Sequence, residues 1–254
     1  MKIFLTKLLL ILTVLSPAYA QRHQFEVLVF SAPDLYHDAV MPTAITELKN
    51  LAEIHYFRMT WTQQGSDFND ENLNKYAVII FLNAKGSRLA PAELASFKKF
   101  IQRGGGFVGI HVASSNADCD EWYRKLVGRT FTGHPEIQTG IMKVADKNFP
   151  ATMHLPDHWV WSDEWYEFGE ALTSSMHVLL TVDESTYQVK RKSGNIEYNG
   201  MGEFHPISWY QEYDGGRSFY TALGHKEAHF RDPWFLKHIY GGIYWAATGK
   251  GVIK

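Results

Sequence analysis

The chain has 254 residues, of which 45% are hydrophobic and 20% are charged, and it carries a formal net charge of -2 with a pI near 6.6. Nucleic acids and anionic membrane surfaces bind clustered lysine and arginine, so this balance excludes both as partners. The hydrophobic content is sufficient for a sizeable core, and the length is compatible with a single α/β domain.

The first twenty residues have the organisation of a secretory signal peptide. Lys2 and Lys7 precede an apolar run at 8–15, and the sequence AYA at 18–20 is a small-x-small cleavage site. A membrane anchor is the alternative, but the run is shorter than the roughly 20 residues that cross a hydrocarbon core. We therefore expect export to the periplasm, a mature chain beginning at Gln21, and no membrane span after cleavage.

The first predicted elements of the mature chain are strands that alternate with helices. Short apolar runs rich in Val, Ile and Phe predict strands at 25–30, 54–59, 76–83 and 106–111. Apolar residues at helical spacing predict helices over about 38–52 and 91–102, the second beginning at Pro91. This alternation is typical of the α/β class, with a doubly wound, mainly parallel sheet and helices on both faces.

The second half of the chain predicts additional strands and a final helix. Strand-like runs occur at 137–144, 177–182, 207–213 and 217–224, and we expect these β additions to extend the sheet or to form a second β layer. The final helix has Asp232 as its N-cap, Pro233 at its first position and Gly249 after its end. Because neither a repeat nor a Pro- or Ser-rich linker interrupts the chain, we predict one domain over 21–254.

Polar residues follow three of the predicted strands, at 31–38, 83–86 and 111–116. Open parallel sheets bind ligands beyond the carboxyl ends of their strands, so these stretches form the candidate site. Histidines also occur at predicted strand or loop ends, namely His37, His111, His134 and His225. Each of them taken alone is compatible with an ordinary structural or solvated histidine, and spacing does not show that the four converge.

The stretch GGGFVGIHVASS at 104–115 predicts a strand that ends in a sharp turn at His111. In other enzymes such a strand-to-helix turn presents a serine or cysteine nucleophile. Cys119, the single cysteine, lies downstream between Asp118 and Asp120, where the carboxylates disfavour a reactive thiolate. A histidine at the turn is suited to proton transfer or metal ligation, because the ordinary pKa of a histidine side chain, about 6.5, lies near neutral pH.

His111, His134 and His225 are candidate ligands for a divalent metal such as zinc, which histidine nitrogens from separated loops can bind. The sequence HKEAH at 225–229 resembles a zinc-protease helix only superficially, because its glutamate is in the third position. It also precedes the predicted helix start at Asp232, so we expect it to be a loop. The sequence leaves open whether a metal is bound.

The segment WVWSDEWYEF at 159–168 combines carboxylates with aromatic side chains. Asp163 and Glu164 are adjacent, so on a strand they point to opposite faces and only one of them easily enters a shared site. Partial desolvation beside aromatic rings would raise the pKa of such a carboxyl and suit it to acid–base catalysis. An exposed aromatic face, such as that of Trp165, would also stack on a sugar ring. The alternative is that the aromatic residues form ordinary core and the carboxylates face water.

The motifs FVGIH, GRTFTGHP, SDEWYEF and the long run PISWYQEYDGGRSFYTALGHKEAHFRDPWFLKHIYGGIYWAATG together resemble the trehalose-utilisation, or ThuA-like, family. The resemblance extends over about 25–249 and is most specific in the C-terminal run. It implies membership of the class I glutamine amidotransferase-like group and a flavodoxin-like fold. His111 takes the position of the cysteine of true amidotransferases, so we do not expect glutaminase activity.

The resemblance also implies which residues line a pocket. The residues expected to be catalytic are His111, His134, Glu164 and His225. The residues expected to bind substrate are His37, Asp163, Arg217, as an anion or carbonyl partner, and Trp165.

The family's association with catabolism of disaccharides and their 3-keto derivatives implies a small-molecule carbohydrate as substrate. We expect an enzyme that acts on an oxidised sugar or glycoside by isomerisation, or by elimination and hydration next to a carbonyl. A histidine would act as base, and a divalent metal or a hydrogen-bond donor as electrophile. Two alternatives stay open: a glycoside hydrolase that uses Asp163 and Glu164, and a non-catalytic sugar-binding protein. The oligomeric state is not indicated.

Overall fold

The computed structural model describes residues 22–193 and 196–251, and the predicted signal peptide at 1–20 lies outside these ranges. Within them, the α-helices are α1 (Met41–Ile54), α2 (Asp70–Leu73), α3 (Pro91–Gln102), α4 (Glu121–Val127) and α5 (Pro233–Thr248). Across the same described residues, no helix combines the length and the apolar character needed to cross a membrane.

A nine-stranded sheet forms the centre of the molecule. In spatial order its strands are β2 (Arg58–Thr62), β1 (Glu26–Ser31), β3 (Val78–Leu82), β4 (Gly106–Ile110), β13 (Gly216–Thr221), β12 (Pro206–Tyr213), β9 (His177–Asp183), β6 (Gln138–Val144) and β7 (His158–Asp163). Two small antiparallel pairs lie apart from it, β5 (Phe131–Gly133) with β8 (Glu167–Phe168) and β10 (Arg191–Ser193) with β11 (Ile196–Tyr198).

The two halves of the main sheet differ in strand direction. From β2 to β13 all neighbouring strands are parallel, and from β13 to β7 all neighbours are antiparallel. The predicted α/β class, with a parallel core and β additions in the second half, is confirmed. The run predicted at 217–224 supplies the fifth parallel strand, and the runs predicted at 137–144, 177–182 and 207–213 all extend the same sheet.

Helices cover both faces of the parallel half, as predicted. On one face, a Cβ on Gly106 of β4 would lie 2.4 Å from the backbone oxygen of Ala246 in α5. On the other face, a Cβ on Gly216 of β13 would lie 2.8 Å from the side chain of Ile101 in α3. Because only glycine lacks a Cβ, these two positions allow the helices to pack directly on the sheet.

One predicted strand is displaced, whereas both ends of the final helix are as predicted. The strand predicted at 54–59 is wrong, because α1 continues to Ile54 and β2 begins at Arg58. β2 is an edge strand with mostly exposed side chains, so its sequence lacks the apolar run that marks a buried strand. By contrast, the side chain of Asp232 accepts hydrogen bonds from two backbone N–H groups at the start of α5, and Gly249 ends this helix with a φ of 66°.

A buried histidine joins α5 to the sheet. His238 is fully buried; its Nδ1 donates to the backbone oxygen of Ala151 at 2.8 Å, and its Nε2 lies 3.2 Å from Oγ1 of Thr221 in β13. Burial lowers the pKa of His238 to about 3, so the ring is neutral in the folded protein at pH 7.

The neutral state of His238 makes stability depend on pH. The unfolded chain binds a proton at this position near pH 6.5, whereas the folded chain does not until about pH 3, so stability is lost as the pH falls between these values. Between pH 7 and pH 5 we expect the free energy of unfolding to fall by about 2 kcal/mol more in the native protein than in His238→Gln. Urea unfolding followed by tryptophan fluorescence measures this difference, and equal losses in the two proteins would contradict it.

Candidate functional site

The carboxyl ends of the parallel strands bring together residues that are distant in sequence. His37 follows β1, His111 follows β4, His225 follows β13, and Glu164 comes directly after β7. One side-chain nitrogen or oxygen from each of the four lies within 4.8 Å of the others. We call this group the histidine–glutamate cluster.

His111 occupies a strained turn at the end of β4. Its φ of 54° lies in the left-handed region, which residues other than glycine rarely adopt and which is found at functional sites. The hydroxyl of Tyr220 donates to the backbone oxygen of His111 at 2.9 Å, and the ring Nδ1 donates to the backbone oxygen of Ala222 at 2.6 Å. Because a carbonyl only accepts, Nδ1 carries a hydrogen, and a neutral ring has its lone pair on Nε2.

His37 is oriented by a carboxylate on its outer side. Its Nδ1 donates to Oδ1 of Asp34 at 2.6 Å, so a neutral ring has its lone pair on Nε2. His37 is only 7% exposed, and its Nε2 has no hydrogen-bond partner within the described part of the chain. Burial, followed by the charge of His111, lowers the pKa of His37, which favours the neutral ring.

Glu164 is the anion that the imidazole rings surround. Its carboxylate oxygens lie 3.5 Å from Nε2 of His111, 3.7 Å from Nε2 of His134 and 3.2 Å from Nδ1 of His225. Burial by itself raises the pKa of Glu164, but the adjacent imidazole of His111, followed by those of His134 and His225, outweighs burial, so the pKa lies below its ordinary value. The expectation of a raised carboxyl pKa in this segment is therefore wrong, because the histidines were not visible as neighbours in the sequence.

His225 completes the cluster from the loop after β13. Burial is the main cause that lowers its pKa to about 4, with His111 and His37 acting in the same direction against Glu164. The ring is therefore neutral at pH 7, and its Nδ1 has no hydrogen-bond partner among the residues that the structure describes.

His134 is the solvent-facing ring beside the cluster. It follows β5, its side chain is 31% exposed, and its Nδ1 donates to the backbone oxygen of Pro135 at 2.8 Å. Its Nε2 faces Glu164, so this nitrogen can exchange a proton with a ligand that reaches the cluster from solvent. Tyr166 packs beside it and donates its hydroxyl to Nε2 of His111 at 2.9 Å.

The sequence and the fold resemble those of known proteins. Residues 26–246 match the model of a family described as ThuA, trehalose utilisation. The chain belongs to the ThuA family. This family is implicated in trehalose utilisation and carbohydrate catabolism, which confirms the resemblance seen in the sequence.

Solved structures share the fold of this ThuA-family chain. A ThuA-like protein from Bacteroides uniformis ATCC 8492 has a TM-score of 0.77 and 25% identity, over 93% of this chain and 98% of that one. A second ThuA-like protein, from Parabacteroides merdae ATCC 43184, has a TM-score of 0.67 and 19% identity, over 91% and 92% of the two chains. A β-galactosidase from Bacillus circulans shares the fold alone, with a TM-score of 0.52 and 12% identity, over 85% of this chain and 30% of that one. No curated protein matches the sequence.

Asp163 supports the site of the ThuA-family chain from behind. It is fully buried and accepts hydrogen bonds from the backbone N–H groups of Gly224 at 3.0 Å and Glu164 at 2.9 Å. It also lies 3.2 Å from Nδ1 of His229. Since these bonds join the end of β7 to the loop that carries His225, Asp163 positions two members of the cluster. This role replaces the substrate contact expected for it.

Arg217 and Trp165 lie away from the cluster, unlike the other residues expected to bind substrate. Arg217 is at the amino end of β13, where its guanidinium donates to the backbone oxygens of Ala246 at 2.8 Å and Gly104 at 3.0 Å. Trp165 is fully buried, and its ring packs so closely on Gly140 that a Cβ there would lie 2.9 Å from it. No face of the ring is therefore available to a sugar. The ThuA-family chain therefore uses both residues to support the sheet.

Three residues of the site were not singled out from the sequence. Asp34 and Tyr166 bind the rings of His37 and His111, and each lies close in sequence to a residue that was singled out. Asn83 follows β3, which pairs with β4, and it also has a left-handed φ, of 47°. Asn83 is fully buried, and both polar atoms of its amide lack partners among the described residues. Asn83 begins the stretch 83–86, which the sequence already marks as part of the candidate site because polar residues follow a predicted strand there.

Cys119 takes no part in this site. Its sulfur accepts a hydrogen bond from the backbone N–H of Ser87 at 3.2 Å, and burial is the main cause that raises the pKa of the thiol. The thiol form is therefore favoured at neutral pH, in agreement with the inert cysteine expected from the sequence.

A cavity of about 670 Å³ lies elsewhere, beside β9. Lys143 and Asp183 in its wall are paired with each other at 2.7 Å, and Glu184 accepts hydrogen bonds from the backbone N–H groups of Met201 and Gly202. Because these charged groups already satisfy one another, the histidine–glutamate cluster is the better candidate for chemistry.

Proposed function

We propose that this protein is an exported, periplasmic enzyme of carbohydrate catabolism that acts on an oxidised (3-keto) sugar or glycoside by proton transfer next to the ketone. The observation that carries the proposal is the contact of one carboxylate, Glu164, with the imidazoles of His111, His134 and His225 at the carboxyl edge of the sheet. Membership of the ThuA family supports a carbohydrate substrate. The signal-like sequence at 1–20 supports export.

The division of roles follows from exposure and hydrogen bonding. A ketone acidifies the neighbouring C–H group, and a base with a pKa near neutrality can remove that proton. His134 is suited to this role because its Nε2 is directed toward the cluster while part of its ring faces solvent. The imidazolium formed on proton transfer would be stabilised by Glu164. Return of the proton to a neighbouring carbon or oxygen completes an isomerisation, and loss of a leaving group completes an elimination.

The burial and hydrogen bonding of Asp163 disfavour the glycoside hydrolase alternative. Such hydrolases need two carboxyl groups about 5 to 9.5 Å apart that both face the scissile bond. Asp163 is fully buried, and the backbone of Gly224 and the side chain of Trp161 donate to its carboxylate. It therefore cannot serve as the second catalytic carboxylate beside Glu164.

The proposal is tested by incubating the purified protein with a 3-keto-disaccharide and with its unoxidised parent. We expect a product from the keto sugar alone, because the parent lacks the carbonyl that acidifies the transferred hydrogen. Chromatography or NMR of the sugars measures conversion. Unchanged keto sugar at high protein concentration would contradict the enzyme, and tight binding by calorimetry without product would identify a sugar-binding protein.

A further inference from the structure

The histidine–glutamate cluster has the donor set of a metal centre. We propose that the histidine–glutamate cluster binds one divalent transition-metal ion, such as zinc. The ligands are His37, His111, His225 and Glu164. Three imidazole nitrogens and one carboxylate oxygen are ligands that zinc and its neighbours in the first transition row accept. This proposal goes beyond the proposed function, since it rests on the arrangement of the four side chains and needs no particular substrate.

The four donor atoms are close enough to share one ion. They lie within 4.8 Å of one another. Two ligand atoms of a tetrahedral ion stand about 3.4 Å apart when each metal–ligand bond is about 2.1 Å long. The most widely separated pair in the cluster therefore needs to approach by up to about 1.4 Å, a change that rotation of the glutamate and imidazole side chains can supply.

Two of the histidines are held as metal ligands usually are. A ligating histidine normally donates its second ring nitrogen to a carboxylate or a backbone carbonyl, which fixes the tautomer and the ring orientation. His37 donates from Nδ1 to the carboxylate of Asp34 at 2.6 Å, and His111 donates from Nδ1 to the carbonyl of Ala222 at 2.6 Å. In both rings this leaves the lone pair of Nε2 directed into the cluster.

The cluster contains buried polar atoms without hydrogen-bond partners. Nε2 of His37 and Nδ1 of His225 have no hydrogen-bond partners within residues 22–193 and 196–251, and His37 is 7% exposed. Buried polar atoms are nearly always satisfied, so these two atoms require a partner, and a bound ion would supply one.

Tyr166 would compete with an ion for Nε2 of His111. Its hydroxyl donates to Nε2 of His111 at 2.9 Å, and the two rings stack with centroids 4.4 Å apart. Ion binding therefore exchanges this hydrogen bond for a metal–nitrogen bond. Removal of the hydroxyl in Tyr166→Phe removes the competing donor, so this variant is expected to bind the ion at least as tightly as the native protein.

The test uses full-length protein that carries no histidine tag and is purified without chelator. Elemental analysis measures the metal content, and the chelator-treated protein is then titrated with Zn²⁺ and with Co²⁺, whose visible absorption bands report nitrogen and oxygen ligation. We expect one ion per native chain. His111→Ala and His225→Ala should each weaken binding about a hundredfold or more, and Asp34→Asn, which removes the carboxylate behind His37, about tenfold to a hundredfold.

His134→Gln is the matched control, because this histidine contacts Glu164 but lies outside the four-residue cluster. It should keep one ion per chain with native affinity. Circular dichroism shows whether each variant folds, and Asp34→Asn is a partly exposed position that tests the site even if His111→Ala does not fold. Less than about one ion per ten chains together with no Co²⁺ spectrum in the native protein would overturn the proposal. Loss of the ion in His134→Gln would also overturn it.

These outcomes are separate from those of the proposed function. An ion bound without turnover of a 3-keto sugar would support the metal site and contradict the enzyme. Turnover of the keto sugar by a protein that contains no metal as purified and gives no Co²⁺ spectrum would support the proposed function and contradict the metal site. If both hold, the ion would polarise the ketone oxygen while His134 removes the proton.

Discussion

Replacing His134 with glutamine is expected to lower kcat for a 3-keto sugar by about 10²–10⁴-fold, the range over which a general base contributes. Glutamine retains the size and hydrogen-bonding character of the side chain but cannot accept a proton at neutral pH. Because the side chain is 31% exposed, the free energy of unfolding should change by less than about 1 kcal/mol. Steady-state kinetics with substrate above KM measures the effect.

The control for His134 is His158→Gln, an exposed histidine at the start of β7 and outside the site. This variant should retain native kcat and KM. A His134→Gln protein with native kcat would show that another group moves the proton. A variant with raised KM and unchanged kcat would show that His134 only binds the substrate.

Replacing Asp163 with alanine is expected to destabilise the fold by about 3–5 kcal/mol. The carboxylate is fully buried, burial alone would raise its pKa, and the interaction with His229 together with the backbone N–H of Gly224 keeps the pKa below its ordinary value. Alanine leaves the buried N–H donors of Gly224 and Glu164 without an acceptor, and it removes the carboxylate that lies beside Nδ1 of His229. Urea unfolding at pH 7 measures the loss.

Asp157→Ala is the matched control, because this aspartate precedes β7 and pairs with Lys147 at the surface, where its side chain is 79% exposed. An exposed ion pair contributes about 0–1 kcal/mol, so this substitution should have little effect. Equal destabilisation by the two substitutions would contradict the structural role of Asp163. It would then no longer hold that Asp163 supports the site while Glu164 takes part in its chemistry.

The sequence predicts the strands and helices better than it predicts the roles of Asp163, Glu164 and Arg217. The strand order explains this difference. Alternation along a strand predicts correctly that Asp163 and Glu164 cannot both face one site. It does not predict which of them meets the histidines, because β7 lies at the far edge of the sheet and only the path of the chain after β7 returns Glu164 to the cluster. Arg217 and His225 are close in sequence, yet they stand at opposite ends of β13.

The sequence by itself determined the features that depend on neighbouring residues. These are the alternation of strands and helices, the caps of α5 at Asp232 and Gly249, and the sharp turn that presents His111. Each is a local effect, because periodic burial, capping and turn conformation involve residues a few positions apart. The motifs also placed the chain in the ThuA family.

Only the tertiary structure decided which of the twelve histidines lie together. His37, His111 and His225 converge because β1, β4 and β13 lie in one parallel set, and β13 pairs with β4 although most of the second half of the chain separates them. The same contacts orient the rings, through Asp34 and Ala222, and bury the nitrogens that then lack partners. Convergence of this kind depends on strand order and loop paths, which hydrophobic periodicity does not encode, because periodicity records only which side of its own element each residue buries.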